Sequence, residues 1–416
     1  MSFARPLSVA LYSHDGMGLG HMRRNALIAS GLSREPDRAS TLLLAGAREM
    51  NLLSLPNSVE CLTLPGFRKV GNGHYEPRHL DMDTSRLVDL RRRVLLAALD
   101  AFAPDVLVVD KAPQGIYGEL LPALHRLRKR GTRIVLGLRD ILDDPTRVRK
   151  EWQEAGDLDV IEALFDAIWV YGDPAVYDLL TECGVDQALA HRTRFTGYLD
   201  PMVRLDHPGE PDTGAEETPD LPPGGRPYVL CQVGGGEDGE ALAAAFLQAE
   251  FPEGSDGVLV HGPFLPGNAR ERLRTLAAER SDIRLIPFVP DTLRMSMGAQ
   301  RVVSMGGYNS VCEMLASGRP GLVVPRVRPR EEQRIRAERM AARGLLDWLH
   351  PDQLTPDALS TWMTSPLATK KKPAQPVDFG GLGRLPGFVR DLMEGSPAGD
   401  AAGTHSALLP TLEVAP

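Results

Sequence analysis

Short apolar runs without polar alternation punctuate the chain, and longer stretches of helical period separate them. In the first half the runs fall at 8–13, 41–45, 106–110, 134–138, 168–171 and 194–197, with amphipathic stretches such as 87–102 and 117–128 between them. Val106-Leu-Val-Val109 carries no polar residue toward either side, as expected of a strand buried on both faces of a parallel sheet. The repeated strand–helix order predicts a doubly wound α/β domain. Between 206 and 227 the pattern stops, and six prolines and six acidic residues accompany almost no large apolar side chain. Such a stretch cannot bury enough surface to fold and reads as a solvated linker. The pattern restarts at 228–233, 258–261, 283–288, 302–304 and 322–324, which predicts a second, shorter α/β domain. After Trp362 it fades. Residues 382–393 have the period of one amphipathic helix, against which Pro386 argues, and the Ala/Gly/Pro-rich end reads as a tail. The expected organisation is a first domain over 1–204, a linker over 205–227, a second domain over 228–365 and a terminal segment over 366–416.

Composition adds exclusions. The 416 residues suit two or three domains, and 43% hydrophobic with 25% charged residues is ordinary for a globular protein. With 47 basic and 55 acidic residues the net charge is −8, which disfavours a nucleic-acid partner. Cys61, Cys183, Cys231 and Cys312 stand far apart, so neither a disulfide framework nor a zinc site is indicated. The opening apolar run at 7–12 is too short for a signal-peptide core, and no span of about 18 apolar residues occurs. A cytoplasmic protein is expected, at most peripheral at the inner face of a membrane. Arg91-Arg-Arg93 beside Val94-Leu-Leu96, and Gly66-Phe-Arg-Lys69, could rest on anionic lipid; a solvated helix face is the simpler reading.

The candidate chemistry sits in glycine turns. Strand 8–13 runs into His14-Asp-Gly-Met-Gly-Leu-Gly-His21 before a helix beginning near Met22. Gly16, Gly18 and Gly20 permit a tight turn and close approach of a ligand, and the helix end behind them favours negative charge. No Gly-Lys-Ser/Thr follows, so this is not a Walker loop. The third glycine of a dinucleotide fingerprint falls on His21, and the second strand ends Leu44-Ala-Gly46 without a ribose-binding acid. A plain strand–helix turn stays open as the alternative. An imidazole at a helix start tends to stay neutral, as a general base must, so His21 is either a base or a cap.

In the second half Gly234-Gly-Gly236 precedes a helix at 240–249, and Met305-Gly-Gly-Tyr-Asn-Ser310 precedes one carrying Glu313. Two glycine-opened helix ends facing one cleft would suit a diphosphate without a metal. Glu313, about one turn in, could accept from ribose hydroxyls, although a lone glutamate there also reads as surface. Asp81-Met-Asp83 has the letters of a metal pair, but it precedes Thr84-Ser85 where helix caps are expected. Asp110 and Arg139 each end or follow a strand on the interdomain side, where either could touch the acceptor or sit in a structural ion pair.

One block is specific. Val303-Ser-Met-Gly-Gly-Tyr-Asn-Ser-Val-Cys-Glu313, Ala316-Ser-Gly-Arg-Pro320, Leu322-Val-Val-Pro325 and Glu331-Glu-Gln333 with Arg336-Ala337 resemble the donor-binding domain of family 28 (MurG-like) glycosyltransferases. Pro104-Asp-Val-Leu-Val-Val-Asp110, Gly118-Glu-Leu120 and Gly137-Leu-Arg-Asp-Ile-Leu-Asp-Asp144 resemble a bacterial branch of predicted glycosyltransferases. The resemblance spans about residues 8 to 350 and implies a GT-B fold, two Rossmann-like domains facing across a cleft. By matching positions, Gly235 and Gly236 would line the diphosphate, and the main chain at Phe288 and Val289 would hold the base. Gly306, Gly307 and Asn309 would border the diphosphate and sugar, Glu313 would bind the ribose and Gln333 the donor sugar. His21 would be the base on the acceptor side, beside Gly16, Gly18, Gly20 and Arg139, with Asp110 as a second catalytic candidate.

The implied activity is inverting, metal-independent sugar transfer from a nucleoside diphosphate donor, UDP favoured, to an acceptor hydroxyl, with no cofactor. The acceptor stays open among a lipid-linked saccharide, a glycan and a small metabolite. An epimerase or hydrolase using Glu237 and Asp238, or a non-catalytic nucleotide-sugar-binding protein, are the alternatives. Two departures stand out. Thr196-Gly-Tyr-Leu-Asp-Pro201 replaces the family's Thr-Gly-Asn-Pro, and Glu331 and Glu332 precede Gln333 where MurG-like enzymes often show glutamines.

Overall fold

The computed structural model describes residues 6–14, 20–34, 38–46, 55–70, 74–205, 225–235, 238–289, 291–366 and 376–395. Gly16, Gly18, Gly236, Glu237, most of the acidic stretch and the end beyond 395 lie outside them.

The first sheet is built from Ser8–Ser13 (β1), Ser40–Ala45 (β2), Val59–Thr63 (β3), Val106–Asp110 (β6), Arg133–Arg139 (β7), Ala167–Tyr171 (β8) and Thr193–Phe195 (β9), all parallel, in the order β3-β2-β1-β6-β7-β8-β9. A hairpin of Phe67–Lys69 (β4) and Tyr75–Pro77 (β5) stands apart from it. The second sheet holds Tyr228–Gln232 (β10), Asp256–Val260 (β11), Ile283–Ile286 (β12), Arg301–Ser304 (β13), Gly321–Val323 (β14) and Asp347–Trp348 (β15), again parallel, in the order β12-β11-β10-β13-β14-β15. Chain order reverses between β1 and β6 in one sheet and between β10 and β13 in the other. Crevices that bind ligands form at the carboxyl ends of strands at such switch points.

Burial explains the unbroken apolar runs. Val9 and Leu11 of β1 and Val106 and Val108 of β6 enter one core, while Ala10, Tyr12, Leu107 and Val109 enter the core on the opposite face. Alternate side chains thus need apolar surroundings on both sides of the sheet. The first core continues into the second domain through Leu230, Tyr308, Val311 and Ala337.

Several expectations need correction. Four strands were invisible to the pattern: β3, β4, β5 and β15 are short edge or hairpin strands with few buried residues, so no apolar run marks them. The stretch expected to be helical from 117 starts only at Leu121, because Tyr117 (φ 52°) and Gly118 (φ 70°) take left-handed conformations after a 3-10 turn at Ile116–Gly118. Pro386 does not interrupt the last helix, Gly381–Glu394. Leu382, Leu385 and Val389 are buried in the first core, where the helix packs against Gly20–Leu32, and that burial outweighs one lost hydrogen bond near the helix start. Residues 376–395 of the terminal segment therefore belong to the body of the first domain. Tyr198 N–H donates to the Asp378 carbonyl (2.7 Å) and Arg194 pairs with Asp391 (2.5 Å), which ties it down.

The basic cluster also divides. Arg91 is fully buried, forked onto Glu119 at 2.5 and 2.7 Å, donating to the Pro65 carbonyl (2.6 Å) and lying over the Phe67 ring. It cannot meet a lipid surface. Arg93 is exposed beside Asp89. No helix among the described residues is long and apolar enough to cross a membrane.

Candidate functional site

The two switch points face each other across one cleft. From the first domain it is lined by His14, Gly20, His21, Arg24, Lys111 and Arg139, and from the second by Gly234, Gly235, Gly307, Asn309, Arg326 and Gln333, among others. Asn309 donates from Nδ2 to the Gly20 carbonyl (3.1 Å), so the two glycine-opened helices touch.

On the first side, β1 delivers His14, and the helix Gly20–Leu32 delivers His21 in its first turn and Arg24 three residues on, on the same face. Asp110 ends β6 and is buried between them. His21 Nδ1 lies 2.6 Å from Asp110 Oδ2, and Arg24 donates to both carboxylate oxygens at 2.7 and 2.6 Å. Burial would raise the Asp110 pKa, but the charges of Arg24 and His21 and their hydrogen bonds outweigh it and hold the carboxyl far below the usual range. An ionised Asp110 can only accept, so Nδ1 carries the ring proton and Nε2 the lone pair. Burial lowers the pKa of His21, which Asp110 only partly offsets, so the imidazole is neutral near pH 7. The His14 ring lies 4.9 Å from that of His21, and burial above all keeps it neutral as well.

On the second side glycine turns stand among polar side chains, Asn309, Arg326 and Gln333 included. Gly306 holds φ 84°, and a Cβ there would meet Val323 at 2.6 Å; the Gly306 carbonyl accepts from Arg336 (3.0 Å). A side chain on Gly262 would run into the Gly234 and Gly235 backbone at 2.2 to 2.7 Å, so the two turns stack closely only because it has none. Gln333 accepts the Arg326 N–H on Oε1 (2.9 Å), and Arg326 pairs with Asp238 (2.9 Å) and Glu332 (2.7 Å).

Below the cleft the halves are joined by a buried fork. Arg336 donates from Nε and Nη2 to Asp140 at 2.9 and 2.6 Å, and Tyr198 donates to the same carboxylate at 3.0 Å. The Tyr308 ring lies between the Arg24 and Arg336 guanidinium groups, 5.7 and 5.9 Å from its centre, and stacks on Tyr198.

The residues singled out from sequence divide into groups. Gly20, His21, Arg139, Gly235, Gly307, Asn309 and Gln333 line the cleft, and Asp110 stands directly behind His21. Gly16, Gly18 and Gly236 lie outside the described residues. Asp110 does not pair with Arg139, whose nearest carboxylate is Glu332 at 3.6 Å. Glu313 is buried away from the cleft lining, held by Arg204 (2.8 Å) and hydrogen-bonded to Thr292 (2.8 Å), so a ribose would have to displace Arg204. The Val289 carbonyl accepts from Arg23 (3.3 Å), and neither it nor Phe288 lines the cleft. Sequence reasoning missed His14, Arg24, Lys111, Arg326 and Arg330. Lys111 carried a signal in directly following a strand-end aspartate, and Arg24 one in standing a turn after His21. Among the described residues no group of three His, Cys, Asp or Glu side chains could hold a metal.

No protein-family model and no curated protein matches the chain. Solved structures do. CalG4, the calicheamicin glycosyltransferase, is 16% identical over 94% of this chain and 98% of its own, with a TM-score of 0.58. MurG of Acinetobacter baumannii is 15% identical over 93% and 100%, at 0.54. The UDP-GlcNAc 2-epimerase of Neisseria meningitidis, solved bound to UDP-GlcNAc, is 12% identical over 93% and 99%, at 0.58. At such identities the shared property is the fold, and that fold is GT-B.

Proposed function

We propose that the protein is an inverting glycosyltransferase that moves a sugar from a nucleoside diphosphate donor, a UDP-sugar by preference, to an acceptor hydroxyl. The observation that carries this reading is the His21–Asp110 contact at the mouth of the first domain, opposite the glycine turns of the second. The acceptor oxygen attacks the anomeric carbon and its proton passes to His21 Nε2, while the bond from that carbon to the diphosphate breaks. A single displacement inverts the configuration. Asp110 fixes the tautomer and stabilises the imidazolium that forms. Main-chain N–H groups at the Gly234 and Gly306 turns, with the helix end behind Gly307, meet the charge developing on the leaving diphosphate, and no resident cofactor is invoked. The 303–337 residues carry our assignment to family 28, and the fold shared with the glycosyltransferases CalG4 and MurG supports the reading.

An epimerase shares the fold, so the test must separate the two. The alternative needs free carboxylates near the anomeric carbon, and Asp238 is already paired with Arg326. Incubation with a panel of UDP-sugars, with and without candidate acceptors, should give acceptor-dependent release of UDP. Epimerised or hydrolysed sugar formed rapidly without acceptor would replace this reading. His21→Ala should lower turnover by roughly 10²–10⁴-fold and leave UDP affinity within about twofold. Full activity in His21→Ala would remove the base.

A further inference from the structure

Three cations of the cleft have no part in the transfer step. Lys111 follows Asp110 at the end of β6 with φ 67°, a region L side chains rarely adopt. Its N–H donates to the Gly137 carbonyl (2.9 Å), which turns the chain so that Lys111 lines the cleft. Among the described residues its ammonium makes no ion pair or hydrogen bond. Arg139 ends the neighbouring strand β7, and its Nε is buried without a partner. Arg330 enters from the second domain, anchored to Asp143 (2.9 Å) and Glu151 (2.9 Å).

The three face one space. Burial, followed by the charges of Arg139 and Arg330, pushes the Lys111 pKa down to about 7, and the opposing pull of Glu332 and Glu151 does not restore it. Asp143 and Glu151 are engaged with Arg330, and Glu332 shares one oxygen between Arg326 (2.7 Å) and Arg139 (3.6 Å), so a single carboxylate oxygen serves the cations on this side and none pairs with Lys111 among the described residues. A neutral sugar hydroxyl cannot relieve this repulsion, whereas an oxyanion can, through charge-assisted hydrogen bonds.

We propose that Lys111, Arg139 and Arg330 form an anion subsite that holds a carboxylate or phosphate group of the acceptor. This rests on the glycosyl-transfer reading for the word acceptor, not for the subsite itself. The acceptor side follows from the topology. Lys111 and Arg139 leave the same sheet edge as Asp110, whereas the diphosphate turns leave β10 and β13 of the other sheet.

The test is calorimetric titration of the full-length protein, first with UDP and then, UDP-saturated, with glucuronate, glucose 6-phosphate and glucose. At least one acidic sugar should bind ten or more times more tightly than glucose, and which one identifies carboxylate or phosphate. Lys111→Met should reduce that preference to under threefold while UDP affinity stays within twofold, and Lys111→Arg should keep part of it. Should Lys111→Met fail to fold, Arg139→Met reads the same preference. Equal binding of acidic and neutral sugars, or a preference untouched by either variant, overturns the subsite. A Lys111-dependent preference for UDP-glucuronate over UDP-glucose overturns its assignment to the acceptor. Failure to bind UDP overturns the transfer reading instead, and titration of the UDP-free protein with the acidic sugars still reads the subsite.

Discussion

The two domains repeat one topology and end it in opposite chemistry. At the β1/β6 switch point the first domain presents side chains: a neutral imidazole, a buried aspartate, a guanidinium clamping that aspartate and a lysine without an ion pair among the described residues. At the β10/β13 switch point the second domain presents the glycine turns at Gly234-Gly235 and Gly307, with side chains such as Asn309, Arg326 and Gln333 around them. A side chain can be tuned to take up a proton, because burial and neighbours shift its pKa. A peptide N–H cannot titrate, but it meets a diphosphate with no desolvated charge to neutralise beforehand. The division of labour follows from which atoms each turn exposes, not from the fold that both share.

The contrast breaks most sharply at Asp110. In Asp110→Asn the amide can donate to His21 Nδ1 and leave the proton on Nε2, so turnover should fall by roughly 10²–10⁴-fold. UDP affinity, measured by calorimetry, should not follow it. The joint between the halves comes next. Arg336→Met leaves the buried Asp140 carboxylate with the Tyr198 hydroxyl and the Ile141 N–H (2.7 Å) but no counter-charge from Arg336, which should cost about 3–5 kcal/mol in urea unfolding. A loss under 1 kcal/mol would mean the fork contributes little.

The glycine side should respond in the reverse sense from Asp110. Gly307 has φ −59° and ψ 149°, which any residue adopts, and open space where a Cβ would stand. Gly307→Val should therefore weaken UDP about tenfold, roughly 1.4 kcal/mol, with the melting temperature unmoved; unchanged UDP affinity would take the diphosphate away from this turn. The smallest effect concerns pH. The base form of His21 is the neutral one, and burial lowers its pKa below the ordinary value of 6.5. Activity should therefore be retained on acidification through neutrality and fall only below pH 6.5, as a pH–rate profile would read. A midpoint above 6.5 would contradict the burial argument.

Legibility divided along the same line as the chemistry. Continuous runs such as Val106–Asp110 announced strands buried on both faces, and β6 has the expected bounds. The glycine turns were equally visible, since a glycine cluster between a strand and a helix has few other uses. Edge strand β3 stayed hidden because only Val59 of its five residues is buried, so no apolar run marks it. Arg91 looked like surface charge because its partner Glu119 lies 28 residues away and the pairing passes through the fold. Glu313 looked available to a ribose; its engagement by Arg204, 109 residues earlier in the chain, could not be read from its own helix.

By itself the sequence determined two doubly wound domains, the acidic stretch between them, and the turns on which His21, Asp110, Gly235 and Gly307 stand. Burial and backbone permissiveness are local requirements, and they leave local marks. Only the tertiary structure decided that Asp110 faces His21 rather than Arg139, that Lys111 has no ion pair among the described residues, and that Asp140 and Arg336 lock the halves together. The first and last of those are contacts of 2.6 Å between residues 89 and 196 positions apart, and the second is a charge that the fold encloses without such a contact among the described residues. The energy of a charge depends on its partner and on the water excluded around it, and neither is written in the residues next to it.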